Sequence, residues 1–421
     1  MHSSTVIKGP LSWQQERALA REAQNGQGEA FVTTFAIPDT VTDDELGRRL
    51  IRMVDREPNL RAVDADAGGI TYASSVDPPL RHEQCSEAQE IRTFISEQKH
   101  IRLERGKSPL WNLTVVRHQT VDGRPVRTAI AVFDHLIADM GSAALLRREL
   151  CTGAEGAPGK GAGQYHAWVA EQRREFDPTA DTDARRFWLS HLGGTFPTHA
   201  TPLPGIADAE PGQGSGSICL SGHVPVSSAA LRAACHKNRA TPFILVLGAV
   251  AATAAQSSGA DEITLQAVTS GRTARSAETF GCLNSSMPIR LRHPDLGNFD
   301  SAVSVASAAW QQVLPYQHTP WDYLWEVADV SDGAMRGWAA CRRELIVNFM
   351  PAPVEGISEH DVADQRSDRI VEYLSFEIFP LASGGFMFRM AFDPSDMEVE
   401  SVRDLLQRVK NSFTDRVQAL H

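Results

Sequence analysis

Phe31, Thr33, Phe35 and Ile37 fall on alternate positions, the period of a half-buried strand. Thr42 with Glu45 three residues on predicts a capping box. The helix it opens has one apolar face in Leu46, Leu50, Met53 and Val54 and stops before Pro58. Residues 111–117 and 126–133 read as strands joined at Asp122-Gly123, a hairpin turn signal. A short loop, 134–140, leads into a helix over 141–150. Two more helices, near 164–175 and 183–191, end at Gly193-Gly194.

The pattern then breaks. Residues 193–216 are rich in Gly, Pro, Ala and Thr, as a linker is. Beyond them, 217–226 is strand-like, and 227–238 and 241–257 are helical. Strands are predicted at 262–269 and 287–292, helices near 298–313 and 319–328, and a strand near 344–350. Residues 371–379 and 386–392 form a second hairpin around Gly384-Gly385, and a helix from Glu398 closes the chain. The two hairpins have similar sequels. Phe133-Asp134 is followed by Asp139-Met140 and a helix, and Phe392-Asp393 by Asp396-Met397 and a helix. Either two halves are built alike, or two common strand-turn-helix units coincide. The division expected is 1–192, a linker at 193–216, and 217–421.

At 421 residues the chain exceeds a single core, which stops growing at roughly 250–300 residues. With 42% hydrophobic and 22% charged residues it has the balance of a soluble globular protein. A net charge of −11 repels phosphate backbones and argues against nucleic acid as a partner. The six cysteines are scattered without a C-x-x-C pair, which suggests reduced thiols in a cytoplasmic setting and no metal site. Residues 1–8 hold no apolar stretch of a secretory signal. The longest apolar run, Pro242 to Ala255, is too short for a bilayer, so a buried helix and no membrane partner are expected.

Three of the 14 histidines have an aspartate four residues on: His118 with Asp122, His135 with Asp139, and His318 with Asp322. Spacing alone therefore identifies no site. His118 sits beside a hairpin turn, and His318 precedes an aromatic helix. His135 leaves an apolar strand and enters a loop before a small-residue helix, where a scaffold presents a side chain to a cleft. On context it is either a presented reactive group or a hydrogen-bonded core histidine.

A set of landmarks accompanies His135. Leu11-Ser12-x-x-Gln15-x-Arg17, Arg56-Glu57-Pro58-Asn59-Leu60-Arg61 and Asp134-His135-Leu-Ile-Ala-Asp139-Met140-Gly141-Ser142 come first, then Phe187-Trp188 to Leu192. Ser270-Gly271-Arg272, Phe280-Gly281-Cys282-Leu283-Asn284, Met287-Pro288-Ile289-Arg290, Gln317-His318-Thr319-Pro320-Trp321 and Val347-Asn348-Phe349 follow. In this order they resemble the motifs of condensation domains of nonribosomal peptide synthetases, within the chloramphenicol acetyltransferase-like superfamily with its H-x-x-x-D signature. Two positions depart from that pattern: Asp134 replaces the first His of H-H-x-x-x-D-G-x-S, and Met140 replaces its Gly.

The resemblance implies an α/β fold of two chloramphenicol acetyltransferase-like sub-domains, a V-shaped pseudo-dimer of mixed sheets with flanking helices and His135 at the cleft floor. It implies amide- or ester-forming acyl transfer in natural-product biosynthesis, with His135 taking or sharing the acceptor's proton. Asp139 would be structural and paired with an arginine, Arg290 slightly before Arg272. Asp134, Met140, Gly141, Ser142 and Asn348 are candidates to line the substrate cleft, Ser142 also as a helix cap. Met140 would either narrow the donor side and select a small acyl group or block it. With no adenylation or carrier segment read in the sequence, a free-standing monomer without bound cofactor is expected. Its donor would carry phosphopantetheine on an acyl or peptidyl carrier protein in trans, or be a coenzyme A thioester. The acceptor would be a small-molecule amine or alcohol. A coenzyme A-dependent acyltransferase and a non-catalytic carrier-docking module are the alternatives.

Overall fold

The periodicities above become mixed α/β structure in each of two compact units: Met1–Asp177 with Ser270–Asn284, and Pro178–Thr269 with Ser285–His421. The computed structural model describes residues 7–26, 28–85, 88–98, 101–120, 123–154, 164–194, 203, 216–331, 333–337, 345–350, 353, 365–367 and 374–419. The division differs from the expected one. The helix at Asp183–His191 belongs to the second unit, and a segment from the second half of the sequence belongs to the first. Most of the expected linker, 195–202 and 204–215, lies outside the described residues.

The first unit runs β1 (Ile7–Gly9), α1 (Trp13–Asn25), β2 (Ala30–Ile37), α2 (Asp43–Arg56), β3 (Ala62–Asp66), β4 (Gly69–Tyr72) and β5 (Leu80–Gln84). It continues with α3 (Ala88–Gln98), β6 (Trp111–Gln119), β7 (Pro125–Asp134), α4 (Met140–Thr152) and α5 (Gln164–Glu175). Its main sheet has the order β2-β7-β6-β5. Alternate residues Phe35, Ile37, Leu113, Val115, Ala129, Ala131 and Phe133 meet Leu46, Leu50, Met53 and Val54 of α2 in one core. On the opposite face Val116 and Ile130 pack with Ile91 and Phe94 of α3. Covered on both sides, β7 reads as a continuous apolar run from Ala129 to Phe133 rather than an alternation. Only half of the expected capping box forms at α2. Thr42 accepts from the Glu45 amide at 3.2 Å, but the Glu45 carboxylate turns to Arg48 and Arg49. Asp122 lies outside the described residues, and Gly123 takes a φ of 77° in the hairpin turn.

The second unit contains α6 (Asp183–His191), β8 (Ser217–Val224), α7 (Ser228–Asn238), α8 (Pro242–Ser258), β9 (Glu262–Thr269), β10 (Ser285–Arg292) and α9 (Phe299–Val313). After these come α10 (Trp321–Val330), β11 (Leu345–Phe349), β12 (Gln365–Ser367), β13 (Leu374–Pro380), β14 (Phe386–Phe392) and α11 (Val399–Gln418). Seven strands form one sheet, β10-β9-β11-β13-β14-β8-β12. The apolar run becomes α8, opened by Thr241 as N-cap and Pro242, and buried from Ile244 to Ala255. No single helix among the described residues is long and apolar enough to cross a membrane.

The two units are built alike. In the first, β2 pairs antiparallel with β7, β7 antiparallel with β6, and β6 parallel with β5. In the second, β8, β14, β13 and β11 pair in the same succession: antiparallel, antiparallel, parallel. The turns after the central strands also match. Asp134 Oδ1 accepts from the Leu136 amide and Asp393 Oδ1 from the Ser395 amide, each at 2.8 Å. The carbonyls of Asp134 and Asp393 then accept from Ile137 and Asp396, each at 3.1 Å. Only the first turn carries a histidine.

Candidate active site

His135 follows the last residue of β7. Its amide donates to the Glu29 carbonyl at 2.8 Å, just ahead of β2. The next carbonyl, of Leu136, accepts from Gln15 Nε2 at 3.1 Å. Gln15 is itself fixed by a full capping box with Ser12 at the start of α1, and the Tyr165 hydroxyl donates to Ser12 Oγ at 3.2 Å. Leu136, Ile137 and Ala138 are fully buried, which anchors the loop as a plug. The His135 ring alone stays partly exposed, tilted against Phe31 with ring centres 4.9 Å apart. Its Nδ1 lies 4.0 Å from Cys282 Sγ. Its Nε2 makes no hydrogen bond among the described residues.

Asp139 is the N-cap of α4 and is 2% exposed. A carboxylate this deep needs partners, and it has three donors. Oδ1 accepts from the Ser142 amide at 2.8 Å and from Arg272 Nη2 at 2.7 Å, and Oδ2 accepts from the Leu283 amide at 2.9 Å. The arginine is therefore Arg272, not the preferred Arg290. Arg290 sits on β10 opposite Thr264 and reaches diagonally to Glu262 of β9, a cross-strand pair within the second unit.

Ser142 neither caps the helix nor faces a cleft. It is fully buried, donates to the Gly281 carbonyl at 2.8 Å, and accepts from the Gly281 amide at 2.9 Å and from Arg272 at 3.2 Å. One donor and two acceptor sites are all a hydroxyl has. Gly141 is explained by the same arginine: a Cβ there would lie 2.2 Å from Arg272 Nε. Gly271 has a φ of 60°, and a Cβ on it would lie 1.8 Å from the Leu283 carbonyl oxygen, so only glycine allows the turn that delivers Arg272.

Asp134 also departs from a cleft-lining role. It is 4% exposed and holds the Leu136 amide, with Arg105 3.7 Å from Oδ2. Burial pushes its carboxyl above the ordinary range, and the Arg105 charge pulls the other way. Met140, the first residue of α4, is 39% exposed. Asn348 is in the second unit, on β11 opposite Glu377. Of the other two histidines with the same spacing, His118 has its Nε2 2.9 Å from Thr128 Oγ1 on the neighbouring strand, and His318 stands in the turn before α10.

Several residues of this site had only a weak signal in the sequence. Ser12 and Gln15 are a capping pair by spacing, but nothing local shows that Gln15 reaches Leu136. Asn59 donates to the Phe280 carbonyl at 3.0 Å and so helps hold the 270–284 segment. Phe31, Cys282 and Asn284 had no chemical signal of their own.

The condensation-domain family model matches residues 8–335. A search of curated proteins returns no match. Among solved structures, the condensation domain of the monacolin K polyketide synthase MokA aligns with a TM-score of 0.76 at 13% identity, over 98% of this chain and 98% of that one. A mutant starter condensation domain of rhizomide synthetase, in complex with C8-CoA, gives 0.74 at 14% identity over 98% and 95%. The first condensation domain of the calcium-dependent antibiotic synthetase, in complex with a substrate analogue, gives 0.69 at 16% identity over 98% and 97%. With its two α/β units and the buried H-x-x-x-D loop, the chain belongs to the condensation-domain family. The family is one of acyltransferases that form an amide or ester.

Proposed function

We propose that His135 is the catalytic base for attack of an amine or alcohol on an acyl thioester. The observation that carries this is the partly exposed imidazole whose Nε2 has no partner among the described residues, on a loop where Leu136, Ile137, Ala138 and Asp139 are buried. Histidine suits the task because its ordinary pKa lies near neutrality. The acceptor's nitrogen or oxygen bonds to the thioester carbonyl carbon while Nε2 takes its proton. The tetrahedral adduct then collapses, the C–S bond breaks, and the imidazolium returns the proton to the leaving thiolate. The products are an amide or ester and a free thiol.

The donor we favour is an acyl group on the phosphopantetheine arm of a separate carrier protein, the currency of the family. A neighbour in complex with C8-CoA keeps coenzyme A thioesters as the second donor class. Asp139 and Arg272 hold the loop rather than react, since the buried carboxylate and the largely covered guanidinium are paired with each other. His135→Ala should lower turnover by about 10²–10⁴-fold, the usual worth of general base catalysis. The assay follows release of free thiol from a loaded carrier protein and from an acyl-coenzyme A, each with an amine acceptor. Turnover that survives His135→Ala would remove His135 from the chemistry. No turnover by the native chain with either donor would favour a carrier-docking module.

A further inference from the structure

Beside the ring of His135 stands Cys282, and beyond it Asn284, two residues of the 270–284 segment that the reaction above does not use. We propose that Cys282 and Asn284 are positioning residues that fix the tautomer of His135, holding the proton on Nδ1 and leaving the Nε2 lone pair as the base. The inference rests on the catalytic role given to His135 above, but its first readout does not need activity.

The geometry orders the hydrogen bonds. Cys282 Sγ lies 3.1 Å from Asn284 Oδ1 and 4.0 Å from His135 Nδ1. A carbonyl oxygen only accepts, so the thiol proton points at Asn284. The sulfur then faces Nδ1 with lone pairs, and the compatible imidazole form carries its hydrogen on Nδ1. Free imidazole side chains favour the other tautomer, so the contact works against the intrinsic preference. Sulfur is a weak acceptor, but Nδ1 has no other partner among the described residues.

The thiol is suited to this and not to covalent catalysis. Cys282 is 5% exposed, and burial pushes its thiol well above the ordinary range, with the Asp139 and Glu29 charges adding to the effect. It therefore stays S–H, able to donate to Asn284, rather than becoming a nucleophilic thiolate. Its place is set by the clamps on either side. Ser142 binds both backbone groups of Gly281, and Asp139 binds the Leu283 amide. The aspartate of the H-x-x-x-D loop thus positions its own histidine indirectly, through the backbone that presents Cys282.

The test is ¹⁵N–¹H correlation of the imidazole of the full chain, with His135 assigned by its loss in His135→Gln. The native ring should be the Nδ1–H form. Cys282→Ala should shift it toward Nε2–H, with kcat lowered roughly 5- to 10-fold, as the competent fraction falls, and KM unchanged. Cys282→Ser, which keeps one donor and the acceptor lone pairs, should restore both readouts. Asn284→Leu frees the thiol proton to turn toward Nδ1 and should shift the tautomer as Cys282→Ala does. If Cys282→Ala fails to fold, the Asn284→Leu and Cys282→Ser pair decides the matter. A native Nε2–H ring, or a tautomer indifferent to Cys282→Ala and Asn284→Leu, overturns the proposal. A native chain with the Nδ1–H ring but no thioester turnover would instead refute the acyltransfer reading and leave the positioning intact.

Discussion

At the scale of single residues, His135 and Asp139 share a motif and have opposite jobs. Asp139 takes three donors from three places in the chain, so removing it strands them all: Arg272, the Ser142 amide and the Leu283 amide. Breaking a buried pair by deleting one partner costs about 3–5 kcal/mol. Asp139→Ala should therefore lower unfolding free energy by that order in urea titration, and His135→Ala should leave it nearly unchanged. A double-mutant cycle of Asp139→Ala with Arg272→Ala should show strong coupling, and one with Arg290→Ala none, because Arg290 is engaged with Glu262. Coupling to Arg290 would mean that the pairing described here is wrong.

At the scale of the element, the first turn of α4 separates tolerance from requirement. Gly141→Ala places a methyl 2.2 Å from Arg272 Nε and must displace the guanidinium, so both stability and turnover should fall. Gly47 in α2 is the contrast, since a Cβ there would meet nothing within 4 Å. Gly47→Ala should stabilise by about 1 kcal/mol, the helix-propensity difference. Melting temperatures of the two variants should thus move in opposite directions. Met140 is exposed, so Met140→Gly should fold well. If Met140 restricts the donor, that variant should turn over larger acyl groups than the native chain in an assay with donors of graded size. An unchanged size profile would leave Met140 without that role.

For the whole molecule, the pH response of stability should report a group of the second unit, outside the motif. The His191 side chain in α6 has its pKa lowered to about 4 by burial first, and then by the charge of Arg290. The folded chain therefore refuses a proton that the unfolded chain binds below its ordinary value of 6.5. Its contribution is complete above pH 6.5 and is lost as pH falls toward 4. By pH 5 the loss should reach about 2 kcal/mol. Urea titrations at pH 7 and pH 5 should show that slope in the native chain and a flatter one in His191→Phe. Equal slopes would assign the acid response to other groups.

What the sequence determined by itself was local. The 3.6- and 2-residue periods placed α2, α4, α5, α6, α8 and most strands close to their observed bounds, because each pattern reports which face of one element is buried. The likeness of the two halves was also legible, since Phe133-Asp134 and Phe392-Asp393 encode the same short-range turn. Helix α1 escaped because Trp13–Asn25 has few apolar positions and is held by Gln15 and Trp13 contacts to distant residues. Strands β3 to β5 escaped because short segments carry too few residues to establish a period. Only the tertiary structure decided which arginine meets Asp139. Arg272 and Arg290 have the same chemistry, and the choice turned on Gly271, Gly141 and the β9–β10 register. It also decided that 270–284 completes the first unit, that Ser142 is wholly consumed by Gly281 and Arg272, and that Cys282 faces His135. Such pairings join residues more than a hundred positions apart, and packing, not spacing along the chain, selects among chemically equal partners.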